Sequence, residues 1–471
     1  MTQDLAYKGV GELQLLYRAE KLSPMEATKA ALARLDRVNP ALNAFMIVDA
    51  ERALMAAQRS ERRWRDHMPL SPLDGQPVTI KDTLNLQGHP TRSGSRTTPE
   101  SASLEDSPEA ARLKEAGAII LGKTTTPEFG WKGMTDGPLF GTTRNPWNLE
   151  RTPGGSSGGA AAALAAGVGT LAVGTDGGGS IRIPASYCGL FGIKPTFGRV
   201  PHHPHTGPFS TLVCSGPLAR CVADAAMMLD ELARPDGRDW YALPPEEESF
   251  ARDLGKGVKG MRIAFSPNFG EAEVEPEIAS IVAAAARRFE GLGAQIAEVG
   301  AVTAALRPTF ENYWLAGFGY TLAQIPAEKH ALLDPHFLPL AQRGLAVGKD
   351  EYFAGHMARV DLGTRMERFF ADWDLLLTPT MPVPPPLATT AYHVQGNDRW
   401  AHATPFTVPF NYTGQPAASV PCGITKAGFP VGLQIVGPRF SERRILQAAA
   451  AFEADCSLRW PQPAVDRALG T

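Results

Sequence analysis

Two glycine-rich segments that carry serines stand out in the middle of the sequence. Residues 154–159 read GGSSGG, and Ser180 follows three successive glycines at 177–179. A serine hydroxyl is a poor nucleophile unless a neighbouring group takes its proton. Successive residues without Cβ atoms let backbone N–H groups converge on one point, as an oxyanion hole requires. The two segments therefore predict nucleophilic catalysis by a serine, which we favour over a flexible glycine turn.

The first of these segments also matches the G-x-S-x-G nucleophile elbow of α/β-hydrolases, with Ser156 or Ser157 at its centre. That elbow needs a preceding strand, whereas residues 145–153 are mostly turn-forming. No later Asp and His stand out as partners of a catalytic triad. The elbow stays open as an alternative, but the sequence disfavours it.

The spacing of the serines resembles the amidase signature family. Its hallmark is GGSSGG followed, 24 residues after the first Ser, by GGS, and here 180 − 156 = 24. The resemblance covers most of the chain from about Leu73, with a weaker middle. It is carried further by the segments at 78–82 (VTIKD), 122–124 (GKT), 188–196 (CGLFGIKPT), 215–220 (SGPLAR), 411–417 (NYTGQPA) and 428–434 (GFPVGLQ).

This resemblance implies a role for individual residues. Lys81 matches the base, Ser156 the bridging serine with a cis peptide bond before it, and Ser180 the nucleophile. The family's oxyanion hole corresponds to the backbone amides of Gly177, Gly178, Gly179 and Ser180. We also expect a supporting polar network around the loops that carry the two serines, formed by Ser157, Thr175, Asp176 and Arg182. For Asp176 and Arg182, a purely structural ion pair and a direct catalytic effect remain equally open.

A lysine can act as a base only as the free amine. Its ordinary pKa near 10.4 leaves less than about a thousandth of it neutral at pH 7, so burial must lower the pKa. Lys81 follows the apolar run 77–80, which suits burial. Asp82 should point to the opposite face of the strand and should not hold Lys81 in its charged form. Without the two serines, an exposed lysine at a strand end would be the better interpretation.

The sequence departs from the family pattern at two positions. Gly177 stands where Thr, Ile or Ala is more usual, which could loosen the loop. Thr125 replaces a common Asn, and this puts a secondary contact in doubt rather than the catalytic set.

Other motif matches are weaker. Residues 117–124 (GAIILGKT) satisfy the phosphate-loop pattern, but the predicted strand lies inside the pattern instead of before it. Residues 167–172 (GVGTLA) imitate a dinucleotide fingerprint but follow an Ala-rich helix rather than a strand. The cluster His202, His203 and His205 has no acidic or thiol partners nearby in sequence, so we expect exposed loop histidines near the mouth of the site. Cys188 reads as a buried core cysteine.

The amino-acid composition limits the kinds of partner that this protein can bind. The net charge of −3 offers no field that would steer nucleic acid or a membrane surface. Five scattered cysteines without a C-x-x-C pair suggest reduced thiols, and no secretory signal is evident. We therefore expect a cytoplasmic protein whose partners are a small amide substrate and water. Neither metal nor cofactor is implied, and formation of a homo-oligomer stays open.

Alternating predicted helices and strands indicate an α/β protein. By the resemblance, the chain is a single amidase domain over 1–471, an α/β/α fold with a central mixed twisted sheet covered by helices on both faces. Within it we expect a helical lead-in at 1–65 and the catalytic signature core at 73–225. A variable, partly helical region follows at 226–372, and residues 373–471 return to the core.

Three functions are consistent with the sequence. The first is a hydrolase of small neutral amides, with anilides, esters or carbamates as further substrates. The second is the glutamine-hydrolysing A subunit of a tRNA-dependent amidotransferase, and the third is a non-catalytic relative that only binds. Residues 310–320 (FENYWLAGFGY) are aromatic where such A subunits typically carry a more polar glutamine-site segment. If this segment lies at the pocket, it favours an apolar group over the charged groups of glutamine.

Overall fold

The computed structural model describes residues 5–205, 207–303, 307–389, 404–456, 458 and 463–470. Its strands are β1 (Phe45–Val48), β2 (Pro77–Lys81), β3 (Ile119–Thr124), β4 (Asp136–Gly137), β5 (Gly141–Thr142), β6 (Leu171–Asp176), β7 (Phe191–Lys194), β8 (Cys214–Ala219), β9 (Arg262–Phe265), β10 (Gln295–Glu298), β11 (Leu375–Pro379), β12 (Ala417–Ile424) and β13 (Pro430–Val436).

The helices of the same residues are α1 (Val10–Arg18), α2 (Pro24–Leu42), α3 (Ala50–Arg65), α4 (Pro108–Glu115), α5 (Gly158–Ala165), α6 (Arg182–Cys188), α7 (Val222–Leu232), α8 (Pro276–Gly291), α9 (Arg307–Ala323), α10 (Phe337–Leu345), α11 (Lys349–Asp372), α12 (Pro409–Tyr412), α13 (Glu442–Asp455) and α14 (Ala464–Ala468). Within the described part of the chain, no helix is both long and apolar enough to cross a membrane.

Eleven of the strands form one sheet, in the order β1-β3-β2-β6-β8-β7-β12-β13-β11-β9-β10. Strand β2 runs parallel to both β3 and β6, and β9 runs parallel to β10 and β11. The other neighbouring pairs are antiparallel. The sheet is therefore mixed, as the resemblance implied.

Helices cover both faces of this sheet. Successive side chains of a strand point to opposite faces. In β11, Leu375 and Leu377 belong to a hydrophobic cluster that includes residues of α7, α8 and α13. Leu376, between them, belongs to a second cluster with residues of α9, α10 and α11. Burial on both faces confirms the predicted α/β class.

The predicted helical lead-in differs from the structure in one element. Helices α1, α2 and α3 occupy most of residues 1–65, but β1 lies between α2 and α3 and pairs antiparallel with β3. Three of its four residues, Phe45, Ile47 and Val48, are of types with strong strand propensity. A run this short, flanked by helices, is hard to recognise from periodicity alone.

The sheet brings the site segments together. Ile80 of β2 is in register with Val173 of the parallel strand β6, so both strands end at the same edge of the sheet. Lys81 and Thr175 lie at that edge. Helices α5 and α6 begin two residues after Ser156 and Ser180. The two serines therefore lie at helix starts next to the end of β2.

Candidate active site

Lys81 lies in the interior at the end of β2 and contacts two hydroxyl groups. Its Nζ is 2.6 Å from Ser156 Oγ and 2.9 Å from Thr175 Oγ1, and the side chain is 1% exposed. Burial lowers the pKa of Lys81 from 10.5 to about 7, although the charge of Asp176 acts in the opposite direction. A substantial fraction of this amine is therefore uncharged near neutral pH and can accept a proton.

Ser180 lines the same cavity as Lys81 and Ser156. Its carbonyl oxygen accepts a hydrogen bond of 3.2 Å from the backbone N–H of Ser157, which ties the two serine segments together. The peptide bond between Gly155 and Ser156 is cis, as the resemblance implied. Among the described residues, no hydrogen bond joins Ser180 Oγ to Ser156 Oγ. The structure thus gathers the three side chains in one cavity, with the Lys81–Ser156 contact already formed.

The amides of the glycine loop do not all face this cavity. Gly177, Gly178 and Ser180 line it. The N–H of Gly179 instead donates a 2.7 Å hydrogen bond to Asp176 Oδ1. The expectation of four converging amides is therefore wrong for Gly179, because the Asp176 carboxylate turns that N–H away from the cavity.

Asp176 and Arg182 form a fully buried ion pair beneath the loop, with 2.9 Å between Asp176 Oδ1 and Arg182 Nη2. Burial alone would raise the pKa of Asp176, but the charge and hydrogen bonds of Arg182 outweigh it and hold that pKa well below its usual range. The carboxylate also accepts the N–H groups of Gly179 and Ile181. The pair thus fixes the backbone on both sides of Ser180.

Two residues to which the sequence motifs gave no individual role complete this network. Asn411 Nδ2 donates to Asp176 Oδ1 at 2.9 Å, and its Oδ1 accepts from Arg182 Nη2 at 2.7 Å. Gln434 Oε1 accepts from Arg182 Nη1 at 2.8 Å. Both lie in the C-terminal segments that carry the family resemblance, which is the signal that could have identified them.

Ser157 and Thr175 join the two halves of the site. Ser157 Oγ donates to the carbonyl oxygen of Thr175 at 3.2 Å and accepts from its N–H at 3.3 Å. Thr125, which replaces the more usual Asn, directs its hydroxyl to Thr143 at 2.8 Å. Thr125 is not among the residues lining the cavity.

Close packing explains why a glycine precedes Ser156. A Cβ atom on Gly155 would lie 2.5 Å from the backbone oxygen of Met134, closer than real contacts allow. The chain at Gly155 can therefore pass this near to the neighbouring backbone only without a side chain.

The cavity has a volume of about 220 Å³, and six aromatic side chains contribute to its wall. Two rings of the segment 310–320, Trp314 and Phe318, line it as predicted, whereas Phe310 stacks on Tyr412 at 3.9 Å between ring centroids. The aromatic residues that line the cavity are Phe129, Trp131, Phe209, Trp314, Phe318 and Phe337.

Lys132 also lines the cavity, but its charge is already balanced. Its Nζ lies 2.7 Å from Asp136 Oδ2 and 3.2 Å from Asp334 Oδ2. A substrate carboxylate would have to compete with both of these buried or partly buried carboxylates. This position therefore disfavours an anionic group of the substrate.

The histidine cluster differs from its prediction. His202 and His205 are partly buried and line the cavity, and each pairs with a carboxylate that lies far away in sequence. His202 Nδ1 is 2.8 Å from Glu109 Oε1, and His205 Nε2 is 3.0 Å from Asp239 Oδ1. Burial disfavours the charged form of His202, but Glu109 outweighs it and raises the pKa of His202. The expectation that these histidines are exposed is wrong, because carboxylates distant in sequence pack against them, whereas their position at the cavity agrees with the expectation.

No group of three or more His, Cys, Asp or Glu side chains is placed to hold a metal ion within the described ranges. Cys188 is fully buried, as predicted, and burial raises the pKa of its thiol. It is therefore unsuited to act as a thiolate nucleophile.

Comparisons with known proteins identify the family of the chain. The profile of the family described as Amidase matches residues 26–446. An acylamidase of Rhodococcus erythropolis is 36% identical over 472 residues, covering 96% of each chain. The A subunit of the glutamyl-tRNA(Gln) amidotransferase of Geobacter sp. strain M21 is 35% identical, covering 95% of this chain and 96% of the relative.

Solved structures give the same result. A bacterial aryl acylamidase of the amidase signature enzymes has a TM-score of 0.88 at 31% identity, covering 95% of this chain and 96% of that chain. A 6-aminohexanoate cyclic dimer hydrolase complexed with substrate has a TM-score of 0.88 at 29% identity, covering 98% and 99%. The family profile and these nearly full-length matches show that the chain belongs to the amidase signature family and is a hydrolase of amide carbon–nitrogen bonds.

Proposed function

We propose that this protein hydrolyses small neutral carboxamides through a serine acyl-enzyme, with Ser180 as nucleophile, Ser156 as proton relay and Lys81 as base. The observation that carries the proposal is the buried contact of 2.6 Å between Lys81 Nζ and Ser156 Oγ. Since burial brings the pKa of Lys81 to about 7, the amine can take and return a proton during turnover.

The chemistry follows in two stages. Ser180 Oγ attacks the amide carbonyl carbon while its proton passes to Ser156, whose own proton passes to Lys81. The amides of Gly177, Gly178 and Ser180 stabilise the oxyanion that forms. The C–N bond then breaks as the proton returns through Ser156 to the departing amine. Water resolves the acyl-enzyme by the same relay and gives the carboxylic acid.

The last link of the relay must form with substrate present, since Ser156 and Ser180 share no side-chain hydrogen bond among the contacts of the described residues. Catalytic hydrogen bonds often tighten only in the substrate complex. A rotation of the Ser180 hydroxyl towards Ser156 would provide the link.

Neutral substrates are favoured by the cavity wall. Six aromatic side chains contribute to it, and the cation of Lys132 is paired with Asp136 and Asp334. Burying the α-amino and α-carboxylate groups of glutamine would require free counter-charges. We therefore place neutral aliphatic or aryl amides first, with anilides, esters and carbamates as further candidates.

A second candidate is the glutamine-hydrolysing A subunit of an amidotransferase, which the 35% identity to one such protein supports. It would need partner proteins, whereas the first proposal requires only the purified chain. The third possibility raised by the sequence, a non-catalytic binding protein, is set aside, because the family profile and the nearly full-length matches to amidases identify an amide hydrolase.

The test is hydrolysis by the purified full-length chain. We expect turnover of a neutral aryl amide such as benzamide or acetanilide to exceed ammonia release from glutamine, and intact mass to show an acyl adduct that Ser180→Ala lacks. A clear preference for glutamine, or activity only with partner proteins, would establish the second candidate instead. Absence of both turnover and acyl adduct would contradict the proposed acyl-enzyme mechanism.

A further inference from the structure

Two aromatic rings from separate parts of the chain stack on each other in the wall of the cavity that contains the nucleophile. Phe209 and Trp314 stack with 4.5 Å between ring centroids and an interplanar angle of 28°. Both line the cavity that contains Ser180. Phe209 comes from the loop before β8, and Trp314 from α9. We call this pair the aromatic platform.

The Phe209 ring packs against Gly317, which lies one helical turn after Trp314. A Cβ atom at Gly317 would lie 2.4 Å from Phe209 Cζ and 2.5 Å from Cε1. Glycine inside a helix costs stability relative to alanine, so a glycine here works against local helix propensity. The empty space over Gly317 is filled by the Phe209 ring, and an alanine would push the ring off its position.

The loop that carries Phe209 is fixed from two sides, which limits how far the ring can adjust. Arg359 of α11 donates to Thr211 Oγ1 at 2.8 Å and to the Thr211 carbonyl oxygen at 2.9 Å. Asn411 Nδ2 donates to the carbonyl oxygen of Leu212 at 3.2 Å. The platform is thus held by the same asparagine that contacts Asp176 below the nucleophile loop.

Gly177 of the oxyanion loop lies next to the aromatic platform. A Cβ atom there would lie 3.2 Å from Val213 Cγ2 and 3.7 Å from the indole of Trp314. The more usual Thr or Ile at this position would extend further into the same space. The departure from the family pattern therefore leaves room between the oxyanion loop and the indole.

We propose that the aromatic platform binds a planar aryl or heteroaryl group of the substrate, and that Gly317 is a specificity-determining positioning residue because it seats Phe209. A planar group can pack against these rings in an offset-stacked or edge-to-face arrangement, whereas a puckered ring of equal size cannot approach them as closely. The proposal rests on the proposed amide hydrolysis and assigns a shape to the substrate.

The test compares rings of similar size that differ in planarity. One pair is benzamide and cyclohexanecarboxamide, and the other is acetanilide and N-cyclohexylacetamide, which place the ring on either side of the scissile bond. For wild-type protein we expect kcat/KM to favour the planar member of at least one pair by roughly 10-fold, the scale of an aromatic stacking contribution. Gly317→Ala should lower this ratio by about the same factor, towards the value set by the intrinsic reactivities of the two amides, mainly through a higher KM for the planar member.

Gly363→Ala is the matched control, because Gly363 also lies inside a helix but a Cβ there meets nothing within 4 Å. It should leave the ratio unchanged. Phe209→Leu should lower the ratio as Gly317→Ala does. The double variant should show no further loss, because the Phe209 ring that Gly317 accommodates is already absent. These comparisons separate a lost platform from a general effect of a new helical methyl group.

The outcomes keep the two proposals distinct. Amide turnover without a planar preference in wild type, or with a preference that Gly317→Ala leaves intact, overturns the platform proposal alone. Failure of the wild-type chain to hydrolyse any of the four amides or to form an acyl adduct overturns the proposed function and, with it, the platform proposal.

Discussion

Asp82 and Lys123 form a fully buried ion pair, with 2.9 Å between Asp82 Oδ1 and Lys123 Nζ. Asp82 follows Lys81 directly in the chain, yet its carboxylate is committed to a residue of the neighbouring strand β3. As the alternation of side chains predicted, Asp82 does not hold Lys81 in the charged form; the acidic residue that raises the pKa of Lys81 is Asp176. The pair thus keeps a carboxylate that neighbours Lys81 in sequence away from it in space.

Breaking this pair should destabilise the fold strongly. Lys123→Met leaves the Asp82 carboxylate buried without its partner, and we expect a loss of about 3–5 kcal/mol in the free energy of unfolding. Lys114→Met is the control, because Lys114 is largely exposed and its pair with Asp106 should contribute at most about 1 kcal/mol. Urea denaturation of the two variants measures the difference. Equal losses would contradict the importance of the buried pair.

The proposed catalytic set predicts an order of mutational effects. Ser180→Ala should lower kcat by about 10⁴-fold or more, the scale expected for removing a covalent nucleophile. Ser156→Ala and Lys81→Ala should also be severe, because each interrupts the proton path. Ser157→Ala removes only the hydrogen bonds to Thr175 and should retain far more activity. If Ser157→Ala lost activity while Ser180→Ala kept it, the nucleophile elbow would be the correct interpretation.

Activity should rise with pH through the titration of Lys81. Its pKa in the folded protein is about 7, below the ordinary 10.5, so the free amine becomes the main form as the pH passes above 7. A profile of kcat/KM against pH should therefore increase through about 7 towards a plateau. Lys81→Arg, which stays protonated, should be inactive across the same range. An acidic optimum falling through pH 7 would argue that the protonated lysine is the active form.

Chelating agents should leave activity unchanged. Two imidazoles that line the cavity, His202 and His205, are engaged by Glu109 and Asp239, and the proposed proton path needs no Lewis acid. Incubation with EDTA followed by assay, with and without added zinc, measures this directly. Loss of activity that zinc restores would assign the histidines to a metal site.

Much of the fold can be predicted from local patterns. The β-branched segment at 76–82 and the apolar segment at 261–265 each favour a strand and correspond to β2 and β9, and helical apolar spacing at 275–292 corresponds to α8. The motif spacing also indicates Lys81, Ser156 and Ser180 as candidate catalytic residues. Hydrophobic periodicity and the positions of glycines indicate the local backbone conformation. This conformation depends largely on residues that are close in sequence, so the sequence alone can predict it.

Long-range partners could not be predicted in the same way. The sequence does not indicate that Asp176 takes the Gly179 N–H, that Glu109 and Asp239 meet His202 and His205, or that Gly317 lies under Phe209. These contacts join residues on different elements, or depend on how a loop folds back over a strand end. Their geometry is decided by strand order and side-chain packing, because burial forces each polar group to find its partner among whatever the fold brings near it.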